Sequence, residues 1–101
     1  MRMFVAVWEF EVREECIAEF VALYGGDGEW AALFRKHAGY LDTELLRDAG
    51  NPTRFLTIDR WTSQAAYDDF LASAKPDYAA IDALGEAFTV SERLVGRFAT
   101  A

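Results

Sequence analysis

Few side chains in this 101-residue sequence can do chemistry. His37 is the only histidine and Cys16 the only cysteine. An imidazole titrates near neutrality, so His37 is a catalytic candidate for a general base if it faces a cavity. Its place in the helical stripe Trp30, Leu33, Phe34, His37 points it inward, and a structural histidine favoured by the dipole at a helix C-terminus has the same signature. One histidine and one cysteine far apart do not make a zinc or iron site, and Cys16 has no partner arrangement for nucleophilic catalysis. No metal is expected. Aromatic residues with a polar handle form the second group. Trp61 closes an extended run and Tyr67 opens a helical one, so together they could line an apolar cavity, the indole N–H meeting a ligand oxygen and the phenol positioning or protonating it. Trp8, Trp30 and Tyr40 are further candidate walls, and plain core packing is the alternative for all five.

The elements that must position these residues follow from periodicity. Met3 to Val12 alternates with apolar side chains on both faces, Phe4, Ala6, Trp8 and Phe10 on one and Met3, Val5 and Val7 on the other, which reads as a strand covered on both sides. Ile17, Phe20, Val21 and Tyr24 then mark an amphipathic helix that Gly25 and Gly26 stop. Asp27 caps a second helical piece, which Gly39 ends. Tyr40 to Asp48 and Arg54 to Thr62 read as an antiparallel hairpin around the turn-rich segment Ala49 to Thr53. Ser63 caps a helix with the stripe Ala66, Tyr67, Phe70, Leu71, and Pro76 and Asp77 open a short helix ending near Gly85. Phe88 to Phe98 reads as a fourth strand.

This order is the split βαβ arrangement of the α+β, ferredoxin-like class, a four-stranded antiparallel sheet with helices on one face, expected as a single domain over residues 1–101. The doubly apolar first strand implies that the uncovered face is buried too, most economically in a homodimer through the sheet face. A large internal ligand would produce the same pattern. Asp59 and Arg60 must point to opposite faces of the third strand, where either charge is costly unless paired; Glu9, Glu44 and Glu92 are candidate partners for Arg60. The Gly25 to Gly28 loop lacks the lysine and the preceding strand of a phosphate cradle and reads as a flexible entrance.

Composition sets the outer limits. With 52% hydrophobic, 27% charged and 15% aromatic residues, the chain has the makings of a dense core. A formal charge of −7 offers nucleic acid no attractive field. No apolar run approaches the ~20 residues that span a bilayer, and a glutamate-interrupted N-terminus and an unpaired Cys16 make the cytoplasm the expected location.

The run GYLDTELLRDAGNPTRFLTIDRWTSQAAYDDFLAS, from Gly39 to Ser73, resembles the antibiotic biosynthesis monooxygenase-like family of dimeric α+β barrels. The resemblance is carried by Gly39–Tyr40 opening the second strand, Leu45 to Asp48 at its end, the Asn51–Pro52 turn, and Arg60–Trp61 leading through Ser63 to Ala66–Tyr67. It implies the ferredoxin-like dimer and, for some members, cofactor-free oxygenation of quinols. That chemistry asks for an apolar cavity around a flat ring and polar groups favouring the deprotonated substrate, which then donates an electron to oxygen.

Residue by residue, the resemblance places a strand-end tryptophan at Trp61 and a helical tyrosine at Tyr67, both present. It places an asparagine at Thr57 and, in many members, a histidine at Phe70; both positions depart and are read as substrate-contacting walls. Neither Phe70 nor Leu71 can ligate iron, and Val5 to Phe10 has no asparagine, so the haem-degrading branch does not fit. The expectation is a monooxygenase without cofactor, with Trp61, Tyr67 and His37 as catalytic candidates, acting on a small aromatic or polycyclic phenol or quinol. A non-catalytic protein binding a hydrophobic small molecule in the same cavity is the alternative.

Overall fold

Strand β1 (Phe4–Val12) is flanked in the sheet by β3 (Arg54–Trp61) and β4 (Thr89–Ala99), and β2 (Tyr40–Arg47) pairs with the outer side of β3, giving the order β2-β3-β1-β4. All three pairings are antiparallel. The structure is a computed structural model that describes residues 3–101. A single 3-10 turn at Glu14–Cys16 leads into α1 (Ile17–Tyr24), followed by α2 (Glu29–Arg35) before β2 and by α3 (Gln64–Ser73) and α4 (Lys75–Phe88) between β3 and β4. This is the α+β, ferredoxin-like arrangement with helices on one face. Among the described residues, no helix is long and apolar enough to cross a membrane.

Alternation decides which side chains meet the helices. Along β3, Phe55, Thr57, Asp59 and Trp61 are buried, while Arg54, Leu56, Ile58 and Arg60 lie half-buried on the opposite face. Phe4, Ala6, Phe10 and Val12 of β1 join the buried set. Together with Phe20, Trp30, Phe34, Tyr67 and Phe70 from the helices they form one continuous core. The uncovered face carries Val5, Val7, Leu56 and Ile58 in its centre, with Phe98 at one edge exposed to 51%. Its charges are paired: Glu9 bridges Arg54 and Arg93, and Arg60 reaches Asp42 and Glu44 at 3.0 and 2.6 Å. Of the partners expected for Arg60, only Glu44 is used, because Glu9 is taken by Arg54 and Arg93.

Two glycines are required by close approach. A Cβ on Gly28 would strike the carbonyl oxygens of Ala22 and Leu23, so only glycine lets α2 start directly over the end of α1. Gly39 takes φ +92° and passes against Ala66 of α3, where a side chain would be both strained and obstructed. The hairpin turn is held by Asp48 Oδ1, which accepts from the Gly50 and Asn51 amides at 2.8 and 3.2 Å.

The helices depart from expectation in detail. Because α1 packs against both α2 and α4, its inner face is Phe20, Leu23 and Tyr24, and Val21 is 42% exposed. Gly28, not Asp27, is the N-cap of α2, and α2 ends at Arg35. The last helix does not stop near Gly85: α4 runs to Phe88, with the Tyr24 hydroxyl filling the space beside Gly85. Ser63 caps α3 as expected, its Oγ accepting from Ala66 N at 3.1 Å.

Candidate functional site

Between the inner face of the sheet and the helices lies a crevice whose floor is Trp8 and Phe10 of β1, Thr43 of β2, and Thr57 and Asp59 of β3. Tyr24, Trp30, Phe34, Tyr67, Phe70 and Tyr78 form its walls, and Asp82 of α4 and Glu92 of β4 complete the lining on the more exposed side. The space, counted with its open mouth, is about 550 Å³, of which about 50 Å³ admits the centre of a water molecule. Aromatic faces dominate the lining; Trp30 stands edge-on to Tyr78 at 4.8 Å and stacks beside Phe34 at 5.8 Å.

Asp59 is the buried charge of this site. A bulge in β2 builds its surroundings: Tyr40 pairs with Trp61 and Asp42 with Arg60, leaving Leu41 without a partner. The extra residue places Tyr40 and Thr43 on the same inner face, although three positions apart they would otherwise lie on opposite ones. Thr43 Oγ1 then donates to Asp59 Oδ1 at 2.8 Å and lies 2.8 Å from the Tyr40 hydroxyl. With the threonine proton spent on Asp59, Tyr40 is the donor in the second bond. Burial disfavours the Asp59 carboxylate and pushes its pKa up to about 6; the Thr43 hydrogen bond opposes the rise and the charge of Asp42 adds to it. Asp59 therefore changes charge close to neutral pH.

The phenols around it stay protonated. Burial raises Tyr78 to about 12 and also raises Tyr24, Tyr40 and Tyr67. For Tyr67 the rise is opposed by the Arg97 guanidinium, which lies 5.5 Å from the ring centre. Of these, Tyr24, Tyr67 and Tyr78 line the crevice and keep a proton to donate, whereas the Tyr40 proton is committed to Thr43. The Trp30 indole N–H lies toward the Tyr24 oxygen and opposes the rise there, without a hydrogen bond of ordinary geometry among the described residues.

Of the candidate site residues read from sequence, Trp8, Trp30, Thr57, Tyr67 and Phe70 line the crevice. Trp61, Tyr40 and His37 do not. Trp61 is fully buried behind the wall, packed on Tyr67, Phe70, Phe34 and Tyr40 with ring centres 5.2 to 5.7 Å away, and its Nε1 has no partner among the described residues. Tyr40 acts on the site only through Thr43. His37 lies beyond the end of α2, edge-on to the outer side of the Phe70 cluster at 5.0 Å, because the helix stops two residues before it. The Gly25 to Gly28 loop, expected at the entrance, contributes no lining residue; Arg35 ties it down through a hydrogen bond to the Gly26 carbonyl.

The sequence reading left open which of Asp59 and Arg60 faces the helices, named pairing partners only for Arg60, and missed Asp59 in the site. The available signal was the alternation Phe55, Thr57, Asp59, Trp61, which sends the carboxylate to the helix side with its apolar neighbours. Thr43 was not legible, since its face depends on the bulge.

A ferredoxin-like sheet covering an aromatic crevice with one buried carboxylate defines a small α+β domain built around a largely aromatic space. The chain matches the model of the antibiotic biosynthesis monooxygenase family over residues 3–83, and it belongs to that family. No curated protein sequence matches it. Among solved structures it is similar to SnoaB, a cofactor-independent oxygenase from Streptomyces nogalater, with 25% identity, a TM-score of 0.81, and coverage of 100% of this chain and 94% of that one. A protein from Shewanella oneidensis shares the fold at 20% identity and a TM-score of 0.71, covering 98% of this chain and 91% of its own. A conserved protein from Methanosarcina mazei Go1 shares it at 16% identity and 0.70, with coverage of 99% and 92%.

Proposed function

We propose that the protein is a cofactor-independent monooxygenase acting on a small aromatic or polycyclic phenol or quinol, and that Asp59 is its proton acceptor. The observation that carries this reading is a carboxylate buried in an aromatic crevice and titrating near pH 6. At neutral pH it is ionised and can take the proton of a ring hydroxyl or of an adjacent activated C–H. The resulting ring anion passes one electron to dioxygen, the superoxide and ring radical couple, and loss of water from the hydroperoxide leaves one oxygen atom on the ring as a quinone carbonyl. Substrate plus dioxygen thus give quinone plus water. Family membership and the likeness to a cofactor-independent oxygenase support the same reading.

The assignments differ from those read in sequence for a geometric reason. Asp59 replaces His37 as the base because His37 stands outside the crevice. Tyr67 remains a hydrogen-bond donor to the substrate, and Trp61 supports Tyr67 and Phe70 from behind. The roughly 50 Å³ of the crevice that admits the centre of a water molecule is far smaller than the roughly 300 Å³ or more that encloses a drug-sized ligand, so binding requires the crevice to widen. The apolar centre of the uncovered sheet face supports a homodimer.

Oxygen uptake by chelator-treated protein, measured with anthrones and dihydroxynaphthalenes, tests the proposal. Uptake above the spontaneous rate that collapses in Asp59→Asn and falls in Tyr67→Phe is expected. Thr57 and Phe70, standing where the family resemblance expects asparagine and histidine, favour a second reading as a non-catalytic binder. Quenching of tryptophan fluorescence by the same compounds without oxygen uptake would establish that reading instead.

A further inference from the structure

We propose that Thr43, oriented by Tyr40, is a positioning residue for the base of this crevice: its hydroxyl holds Asp59 Oδ1, keeps the carboxyl ionised and leaves Oδ2 to take the substrate proton. The inference rests on the reading of Asp59 as proton acceptor and adds what makes a buried carboxylate usable as one. Its first support is connectivity. Thr43 Oγ1 donates to Oδ1 at 2.8 Å and accepts from the Tyr40 hydroxyl at 2.8 Å, so one carboxylate oxygen is engaged by a chain whose donors all point toward it. Oδ2 makes no hydrogen bond among the described residues, yet it is not a sealed atom. The sealed side-chain nitrogens and oxygens without a partner among those residues are Nε1 of Trp30 and Nε1 of Trp61. Asp59 lines the crevice, so Oδ2 is the oxygen left open to it.

A second support is the backbone. The bulge in β2 interrupts the ladder and leaves Leu41 49% exposed, and in the site it sets Thr43 directly opposite Asp59 with Tyr40 on the same face. No other group does the work of Thr43. From β2, Asp42 faces Asp59 with a like charge while itself paired with Arg60. Tyr67 of α3 and Tyr78 of α4 feel the Asp59 charge, and Tyr24 of α1, Asp82 of α4 and Glu92 of β4 line the same crevice, but none of them hydrogen-bonds the carboxyl. Arg97 of β4 sits across Ala6 from Asp59 and lies over the Tyr67 ring. Among the described residues Asp59 is in no ion pair. Burial and Asp42 both favour the protonated acid, and the Thr43 hydroxyl is what opposes them.

Two readouts on the full chain test the inference. Carbon-13 titration of aspartate-labelled protein, with the Asp59 carboxyl signal assigned by its loss in Asp59→Asn, follows the base without any substrate. The pH dependence of kcat/KM for oxygen uptake with a dihydroxynaphthalene follows it at work, its acid limb reporting the free protein's base. Thr43→Val keeps the shape and removes a donor to the ionised form, so the Asp59 midpoint should rise by about one pH unit, the scale of a hydrogen bond to a charged group. The acid limb should move up with it, so that kcat/KM falls about tenfold below the limb and by less toward pH 8. Thr43→Ser should restore both midpoints, and Tyr40→Phe, which leaves Thr43 in place, should give a smaller rise in the same direction. A carboxyl midpoint unmoved in Thr43→Val, with uptake normal in the wild type, overturns the inference and leaves the oxygenase reading standing. An acid limb that ignores a moved midpoint overturns it too, and with it Asp59 as the base. If the wild type shows no uptake, the inference and the reading it rests on fall together.

Discussion

Replacing Asp59 by asparagine separates the stability of this fold from its chemistry. The substitution keeps size and an acceptor for the Thr43 hydroxyl, so the Tyr40, Thr43 chain is preserved. What it removes is a carboxylate that the fold holds at a pKa of about 6 against an ordinary 3.8. At 1.36 kcal/mol per pH unit, that rise corresponds to about 3 kcal/mol. The sign follows from proton binding. The folded state holds the proton more tightly than the unfolded one, so the native carboxyl costs nothing below about pH 3.8, becomes unfavourable as pH rises, and exerts its full penalty above about 6. Asp59→Asn should therefore match wild type in strongly acidic solution and exceed it by about 3 kcal/mol at pH 8, while oxygen uptake falls by about 10²- to 10⁴-fold, the scale of a lost general base. Urea denaturation from pH 4 to pH 8 at fixed protein concentration reads the difference. Parallel stability curves for the two proteins over that range would refute the buried-carboxylate argument, whatever the activity does.

Other perturbations test the packing around the site. Trp61→Ala empties the most enclosed position of the core and should cost about 3–5 kcal/mol in denaturant unfolding. Ser63→Ala removes the cap of α3 and should cost about 1 kcal/mol, with no change in the crevice. Gly85→Ala forces a methyl group onto the Tyr24 hydroxyl; a loss of about 1–3 kcal/mol is expected, and a neutral result would show that Tyr24 can leave the crevice wall freely. Val7→Lys places a charge at the middle of the uncovered sheet face, opposite Ile58 and Gly96. Light scattering should report a dimer for the wild type and a monomer for this variant, and a monomeric wild type at micromolar concentration would refute the sheet-to-sheet assembly.

Much of the architecture was legible because it depends on short-range periodicity. The alternation of β1 and β3, the turn residues between Asp48 and Arg54, and the Ser63 cap are each properties of residues within a few positions of one another. The same local rule, applied to β3, is sufficient to send Asp59 inward with Phe55, Thr57 and Trp61. Helix faces were less legible. Both α2 and α4 pack on α1, and α2 stops before His37, so a stripe drawn on a helical wheel did not identify the buried set.

What sequence alone determined here is the order and type of the elements, the class of fold, and the aromatic character of whatever space the elements enclose. Only the tertiary structure decided which aromatics face that space. Trp61 and Tyr67 are near neighbours in the chain, yet Tyr67 lines the crevice and Trp61 is sealed behind it, because α3 lies across the end of β3. The bulge at Leu41 turned Thr43 toward Asp59, and the return of β4 along β1 brought Glu92 to the same crevice as Trp8 and Asp82. The physical reason is range: backbone periodicity is set by neighbours two to four residues away, whereas a cavity is what remains after elements far apart in the chain have packed against one another.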